Sequence, residues 1–359
     1  MGWFAASSRP FTPRDAARSP VAGWRRSAPR QWTVSGLAAG LRTAAVGLLA
    51  ISTGCGRTIV HFAPADPPPR ALAEVQVLAS GSNDHPDIHG LSALCRAPDG
   101  ALWSITERED LLVRLSLEGA ALRTEALPLR GKPPGLDGEG LALWQSRADG
   151  PLQFAVGTES HGGPRSRDAV LLGHLSPTEA VVDETVWVDY AAWGVQAEDN
   201  RGLEGMCWSD GLWVLAETAM DAGRGRWSPL GRRSGDGSWT PLRLPLTSQD
   251  GRFSALACRP AAAVHGAGAV ELWAIERQLG SSRWVRAIVP AAGAGGVELQ
   301  TEVVADLAPP VYARLGTVPN FEGIAADRAD PEAAWLIADN DRGGMLQGPN
   351  LLVLVGRRR

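Results

Sequence analysis

Apolar and polar positions along the chain recur as a two-part pattern. Five segments share one order of residue types: Leu91-Ser-Ala-Leu-Cys95, Gly138-Glu-Gly-Leu-Ala142, Leu203-Glu-Gly-Met-Cys207, Phe253-Ser-Ala-Leu-Ala257 and Phe321-Glu-Gly-Ile-Ala325. Each runs apolar or Gly, then Glu or Ser, then Gly or Ala, then a large aliphatic, then a small residue. Downstream of each lies a second strand-like segment ending in an acid: Leu102-Trp103 to Glu107, Gln153-Phe154 to Glu159, Leu212-Trp213 to Glu217, Leu272-Trp273 to Glu276, and Ala334-Trp335 to Asp339. The text between repeats also reads as strands, at Leu111 to Leu117, Leu122 to Leu129, Ala169 to Leu175, Val181 to Val188, Trp284 to Val289 and Val297 to Leu307. These runs are rich in aliphatic and β-branched residues and bounded by Gly, Pro, Asp and Ser. No long 3.6-residue periodicity competes with them.

Four strands per unit, repeated radially, predict an all-β chain folded as a single β-propeller. The last repeat supplies only three strands from Phe321 onward, and a spare strand, Glu74 to Leu78, precedes the first. Pairing of this N-terminal strand with the C-terminal one would close the ring and remove its sheet edges. The third residues of the repeats, Ala93, Gly140, Gly205, Ala255 and Gly323, lie 47, 65, 50 and 68 residues apart. Those are single-blade lengths once long loops are allowed, so five four-stranded blades are expected, with a sixth, degenerate blade as the alternative.

Ahead of the repeats the chain changes character. Residues 1–55 hold seven Arg and one Asp, whereas the remainder carries 28 basic against 38 acidic groups. An acidic body argues against nucleic-acid binding, which draws on basic patches. After Arg42 come Thr43 to Ser52 without a charge and then Thr53-Gly54-Cys55-Gly56. Basic region, short apolar region and small residues are the order of a secretory signal, and ten apolar residues are too few to span a bilayer. Cys55 resembles the lipidated Cys of a bacterial lipoprotein box, with plain secretion as the alternative. Residues 1–55 are therefore read as a signal segment, 56–72 as a Pro-rich tether, and 73–356 as the propeller domain. An exported protein is expected, in the cell envelope through a lipid on Cys55, or in the periplasm or outside the cell. Cys95, Cys207 and Cys258 show no paired spacing and are read as buried thiols.

With order and motifs together, the chain resembles the phytase-like family, the esterase-like activity of phytase. The residues that carry the likeness are Gly90-Leu-Ser-Ala-Leu94 with Thr106-Glu-Arg108, Asp137-Gly-Glu-Gly140, Gly202-Leu-Glu-Gly205, Ile275-Glu-Arg277, and Asn320-Phe-Glu-Gly323 with Ala338-Asp-Asn-Asp-Arg342. They span about residues 75 to 355. The resemblance implies a propeller, but a shared fold does not transfer an activity.

In a propeller the start of each first strand and the end of each second strand meet on one face. That brings Glu139, Glu204 and Glu322 beside Glu107, Glu159, Glu217, Glu276, Asp339 and Asp341 at one channel mouth. Hard cations such as Ca²⁺ take carboxylate oxygens, and Glu139, Glu204, Glu322, Asp339 and Asp341 are the expected ligands. Arg108, Arg201, Arg252, Arg277 and Arg342 stand next to these acids and suit the oxygens of a small anionic substrate. The bland reading is that the acids accept turn amides or pair with the arginines to lock blade to blade. Ser92 and Ser254 occupy the Glu column as small polar wall residues. Trp103, Trp213, Trp273 and Trp335 are read as inter-blade core, His85 and His89 as turn caps, and the basic run Arg224 to Arg233 as part of a solvated loop. No Gly-x-Ser-x-Gly elbow supports a serine nucleophile. Three functions follow: a metal-dependent hydrolase of phosphate or carboxylic esters, a non-catalytic binding propeller of the envelope, and a glycoside-active propeller, against which Ser92 stands where an acid is needed. A monomer is expected.

Overall fold

The computed structural model describes residues 51–54, 57–60, 73–160, 168–195, 201–221, 225–261, 265–278, 281–291, 299–339 and 349–358. The chain divides into two compact units, Met1–Ala44 and Ala45–Arg359. The first lies outside the described residues. So do Cys55 and most of the proposed tether; beside them, β1 (Ile51–Gly54) and β2 (Arg57–Val60) pair as an antiparallel hairpin.

The repeats fold as four-stranded antiparallel sheets. Blade 1 comprises β4 (Leu91–Arg96), β5 (Leu102–Thr106), β6 (Leu111–Glu118) and β7 (Ala121–Arg130). Blade 2 comprises β8 (Leu136–Trp144), β9 (Gln153–Ser160), β10 (Ala169–Leu175) and β11 (Ala180–Trp187). Blade 3 comprises β12 (Gly205–Trp208), β13 (Leu212–Leu215), β15 (Arg226–Arg233) and β16 (Trp239–Pro245), with the two-residue β14 (Met220–Asp221) on β15. Blade 4 comprises β17 (Arg252–Pro260), β18 (Val270–Gln278), β19 (Ser281–Val289) and β20 (Thr301–Asp306). Blade 5 comprises β21 (Phe321–Ala326), β22 (Ala333–Ala338), β23 (Asn350–Arg357) and, from the other end of the chain, β3 (Val75–Asn83). The expected closure is therefore present: β3 pairs with β23 from Val75 to Asn83. The fully buried Asn350 pins it, donating from Nδ2 to Asn83 Oδ1 and to the Ile88 carbonyl, both at 2.9 Å.

The innermost strands contact one another in the cyclic order β4, β8, β12, β17, β21 and back to β4. Their neighbours cover both faces, which is why they read as near-continuous apolar runs rather than alternating ones. Outer strands are half-covered: β6 alternates buried and exposed positions over much of its length, and β11 is largely half-buried or exposed. Side chains of adjacent blades interlock between the sheets, as where Trp103, Ile105 and Leu112 of blade 1 meet Leu141, Phe154 and Val156 of blade 2. Each such fully buried Leu or Phe contributes about 1.5–3 kcal/mol. Trp103, Trp213 and Trp273 are buried in these layers as expected, and Trp335 packs against another at its half-buried position.

The Gly of the Glu-Gly repeat has a steric cause. A Cβ on Gly140 would lie 2.7 Å from Met206 Cγ, one on Gly205 2.6 Å from Leu256 Cβ, and one on Gly323 2.4 Å from the Ala93 carbonyl carbon. Neighbouring inner strands approach too closely here for any side chain in those three blades.

Two sequence expectations are corrected, and one further element is added. Cys207 on β12 and Cys258 on β17 form a disulfide, Cα atoms 5.7 Å apart, between the inner strands of blades 3 and 4. The two lie 51 residues apart, so only the ring brings them together. Cys95 alone stays a buried thiol, and burial pushes its pKa far up, which leaves it inert. The basic run is no solvated loop: Arg226–Arg233 is the third strand of blade 3, with Trp227, Ser228 and Leu230 buried. Finally, Ala308–Leu315 forms a helix, α1, with Pro in its first turn and Gly316 at φ 73° ending it.

A side chain at Gly323 should overpack the β21–β4 contact. Gly323→Val is expected to cost about 2–3 kcal/mol or more in urea unfolding, whereas Gly235→Val, at an open surface position, should change little.

Candidate functional site

A recurring irregularity points the column carboxylates inward. In blade 2 the register steps from Gly138 to Gly140 and leaves Glu139 without a partner; in blade 5 it steps from Phe321 to Gly323 past Glu322; in blade 4 it steps from Phe253 to Ala255 past Ser254. β4 breaks register after Ser92, where Ala93 takes φ 56°. In blade 3, Glu204 immediately precedes β12. A β-bulge re-aims its extra side chain, and here it does so at the same point of successive blades. Glu139, Glu204 and Glu322 are all buried.

The second strands end around them, and their register corrects one assignment. Opposite the residues two before the column lie Glu107, Glu159, Glu217, Arg277 and Asp339: Glu107 N–H donates to the Gly90 carbonyl, Asp137 pairs with Glu159, Glu217 N–H donates to the Gly202 carbonyl, Arg252 pairs with Arg277, and Asp339 N–H donates to the Asn320 carbonyl. In blade 4 the column thus holds Arg277, and Glu276 sits one position earlier, opposite Phe253. Glu276 faces the loop before β17, where its carboxylate accepts the N–H groups of Thr247 at 2.9 Å and Ser248 at 2.8 Å together with both hydroxyls. It is a loop cap. The signal was available: Glu107, Glu217, Arg277 and Asp339 each stand four residues after the repeat Trp.

Arg277 is a half-buried cation of the mouth, its side chain 25% exposed. It reaches Glu322 Oε1 at 2.8 Å and Glu217 Oε1 at 3.6 Å, and donates to Asn320 Oδ1, while Asn320 in turn donates to Glu322. Asn320 was not foreseen as part of the site. Glu322 Oε2 is buried with no hydrogen-bond partner. On the other side, Ser92 Oγ donates to Glu139 Oε2 at 3.0 Å, and Gly202 N–H donates to Glu159 Oε2 at 3.0 Å. Ser254 donates to the Phe321 carbonyl at 2.7 Å, a wall contact as expected.

The remaining predicted residues divide. Arg252 lies 4.0 Å from Glu217 and Arg108 lies 4.0 Å from Asp137, the latter side chain 53% exposed. Arg201 is half-buried beside the mouth, where its carbonyl accepts Thr218 Oγ1 at 3.5 Å. Asp339 is half-buried next to Glu322 and Arg277. Asp341 and Arg342 lie outside the described residues. His85 and His89 cap their own turn: Asp87 N–H donates to His85 Nδ1, and His89 Nε2 lies 2.8 Å from the Pro86 carbonyl.

Crowding sets the electrostatics. Burial raises the Glu139 pKa well above the ordinary carboxylate range, and Glu204, Glu107, Glu159 and Glu322 add to it. Glu204 is raised likewise by burial, then by Glu217 and Glu322, with Arg277 opposing. Burial pushes Glu322 up to about 8 although Arg277 pulls the other way, because Asp339 and Glu217 lie close. Burial works against the charge on Arg277, but Glu322, Glu217, Glu204 and Asp339 outweigh it and hold its pKa above the arginine range. Carboxyls that keep protons near neutral pH beside ionised ones can donate and accept protons, the arrangement found at working acid–base sites. The donor set is all hard oxygen, which suits Ca²⁺ in kind. Among the described residues, no group of three or more His, Cys, Asp or Glu is drawn together tightly enough to hold a metal ion.

Residues 86–342 match the family model Phytase-like, esterase-like activity of phytase. No curated protein matches the chain. Among solved structures, it is similar to the PQQ-bound aldose sugar dehydrogenase of Streptomyces coelicolor, at 15% identity and TM-score 0.44 over 81% of this chain and 100% of that one. It is also similar to virginiamycin B lyase of Staphylococcus aureus, at 12% identity and TM-score 0.35 over 79% of this chain and 100% of that one. The Dos1 propeller gives 6% identity and TM-score 0.35 over 74% and 68%.

The raised Glu322 pKa has a definite consequence for stability. A carboxyl whose folded pKa exceeds its unfolded value holds its proton more tightly in the native state, so its ionisation costs stability as pH rises from about 4.5 to about 8. In the presence of chelator, Glu322→Gln should remove part of the wild-type fall in Tm between pH 5 and pH 8.5. An identical pH profile in both proteins would contradict the crowding.

Proposed function

We propose that the chain, which belongs to the Phytase-like family, esterase-like activity of phytase, is an exported hydrolase of phosphate or carboxylic esters that works at the carboxylate mouth. The observation that carries this reading is the set of buried carboxyls in the repeat column, Glu139, Glu204 and Glu322, crowded so that burial and neighbouring acids raise all three above the ordinary carboxylate range. Glu322 offers its unpartnered Oε2 as the proton donor to a leaving alkoxide, while Arg277 holds Oε1 and fixes the carboxyl in place. Glu139, steadied by Ser92, takes a proton from the attacking water once it has given up its own. Water adds, the ester bond breaks, and an acid and an alcohol leave. General acid–base assistance of this kind is worth about 10²–10⁴-fold in rate.

Ca²⁺ would take the place of the carboxyl protons: ionised and drawn closer together, Glu139, Glu204, Glu322 and Asp339 would hold it, with Asp341 close in sequence, and it would supply positive charge for an ester oxygen. Support for export comes from the basic-then-apolar N-terminus and from the Cys207–Cys258 bond, since disulfides persist in oxidising compartments. A lipid on Cys55 would tie the propeller to a membrane. Among the described residues no helix is long and apolar enough to cross one.

A second reading is a non-catalytic binding propeller of the envelope. It is favoured by Arg277, which already gives Glu217 and Glu322 a partner and so a structural task.

Screening the protein from Gly56 onward with aryl phosphate and aryl carboxylate esters separates the two. Turnover that falls about 10²-fold or more in Glu322→Gln, with circular dichroism unchanged, is expected for the hydrolase. Turnover of neither ester class rejects it in favour of the binding propeller. Ca²⁺ should raise Tm in the wild type and not in Glu204→Gln, since a ligand stabilises the state that binds it.

A further inference from the structure

At the mouth, blade 4 departs from its neighbours. The cross-strand pair that flanks the column is Gly90 with Glu107, Asp137 with Glu159, Gly202 with Glu217, and Asn320 with Asp339, but in blade 4 it is Arg252 with Arg277. Like charges directly opposite each other destabilise a sheet, and the Asp137–Glu159 pair of blade 2 is like-charged too. What sets blade 4 apart is the sign: two guanidinium groups stand where the other blades offer acids, an amide or Gly.

The two arginines also differ in what they hold. Arg277 is consumed by Glu322, Glu217 and Asn320. Arg252 makes no side-chain hydrogen bond among the described residues, and its ion contact is the 4.0 Å approach of Nη1 to Glu217 Oε2. Its side chain is 38% exposed at the lip of the channel. A guanidinium presents a planar fork of donors that matches two oxygens of a phosphate or carboxylate. Of the described arginines beside the acids, Arg108 stands more exposed next to Asp137, and Arg277 already holds Glu322, Glu217 and Asn320.

We infer that Arg252 is the residue that receives the anionic group of the ligand, so that a compact oxyanion, phosphate or carboxylate, docks against the start of β17. Arg277, opposite it on β18, is a positioning residue that keeps Glu217 and Glu322 in place. The inference rests on the reading that the mouth takes an anionic ligand, and it names which residue selects for it. It also orients the ligand: the anion lies at blade 4, and the reacting bond points toward Glu139 and Glu322.

The test is isothermal titration of the protein from Gly56 onward with inorganic phosphate and, separately, with succinate. The wild type should bind at least one of them, which tells phosphate from carboxylate recognition. Arg252→Gln should weaken that binding about tenfold or more, Arg252→Lys less, with Tm unchanged in both. Binding by Arg252→Gln equal to wild type, or no binding of either anion by the wild type, overturns the assignment. Failure of the hydrolase reading is distinguishable. A protein that turns over no ester yet loses phosphate or succinate binding in Arg252→Gln keeps the anion site and loses the chemistry. One that turns over anionic esters with the same KM in Arg252→Gln keeps the chemistry and loses the anion site.

Discussion

The close approach of neighbouring inner strands governs both the fold and the mouth. A ring of strands packed this tightly leaves no volume for a side chain at Gly140, Gly205 or Gly323, and one residue before each the chain places Glu139, Glu204 or Glu322 toward the channel. The Glu-Gly pair is therefore one device. Its Gly lets the strands meet, and the adjoining bulge removes a residue from the ladder so that a polar side chain can face the axis without costing the sheet its apolar faces. Where Ala takes the place of Gly, in blades 1 and 4, the column residue is Ser, and its hydroxyl bonds the next blade instead.

Once three carboxyls share one narrow opening, their charge has to be managed. Arg277 meets part of the need by occupying a position that carries an acid in the other blades, and it draws Glu217 and Glu322 around itself. The rest is met by protons: buried beside Glu107, Glu159 and Glu204, Glu139 stays protonated well above the usual range. A mouth in this state is poised for chemistry or for a cation, because either relieves a repulsion that the fold itself imposes. A cavity of about 200 Å³ also lies among the inner strands, lined by Leu94, Leu143, Met206 and Ile324 together with Arg96.

The propeller was legible because strands buried on both faces write contiguous apolar runs, and because the steric demand for Gly or Ala repeats once per blade. The closing strand could be found by counting: three strands at one end and one at the other. The third blade was less legible. Pro229 and three arginines in Arg226–Arg233 mask a strand whose buried positions run from Trp227 to Gly231. At the mouth, composition marked the acids but not the register, and Glu276 was mistaken for the column residue because an acid adjoins Arg277. The Cys207–Cys258 bond left no local trace, since its partners become neighbours only when blades 3 and 4 pack. Which arginine holds carboxylates and which stands open is a matter of distances, and sequence adjacency treats them alike.

The three column carboxyls, Glu139, Glu204 and Glu322, crowd one another enough to hold their protons above the ordinary carboxylate range. Carbon-13 NMR titration of glutamate carboxyls, assigned by Glu139→Gln, Glu204→Gln and Glu322→Gln, measures this directly. Three glutamates titrating above the ordinary range, with that of Glu322 near 8, is the predicted result. All three titrating near 4.5, as isolated solvated carboxylates do, would contradict it.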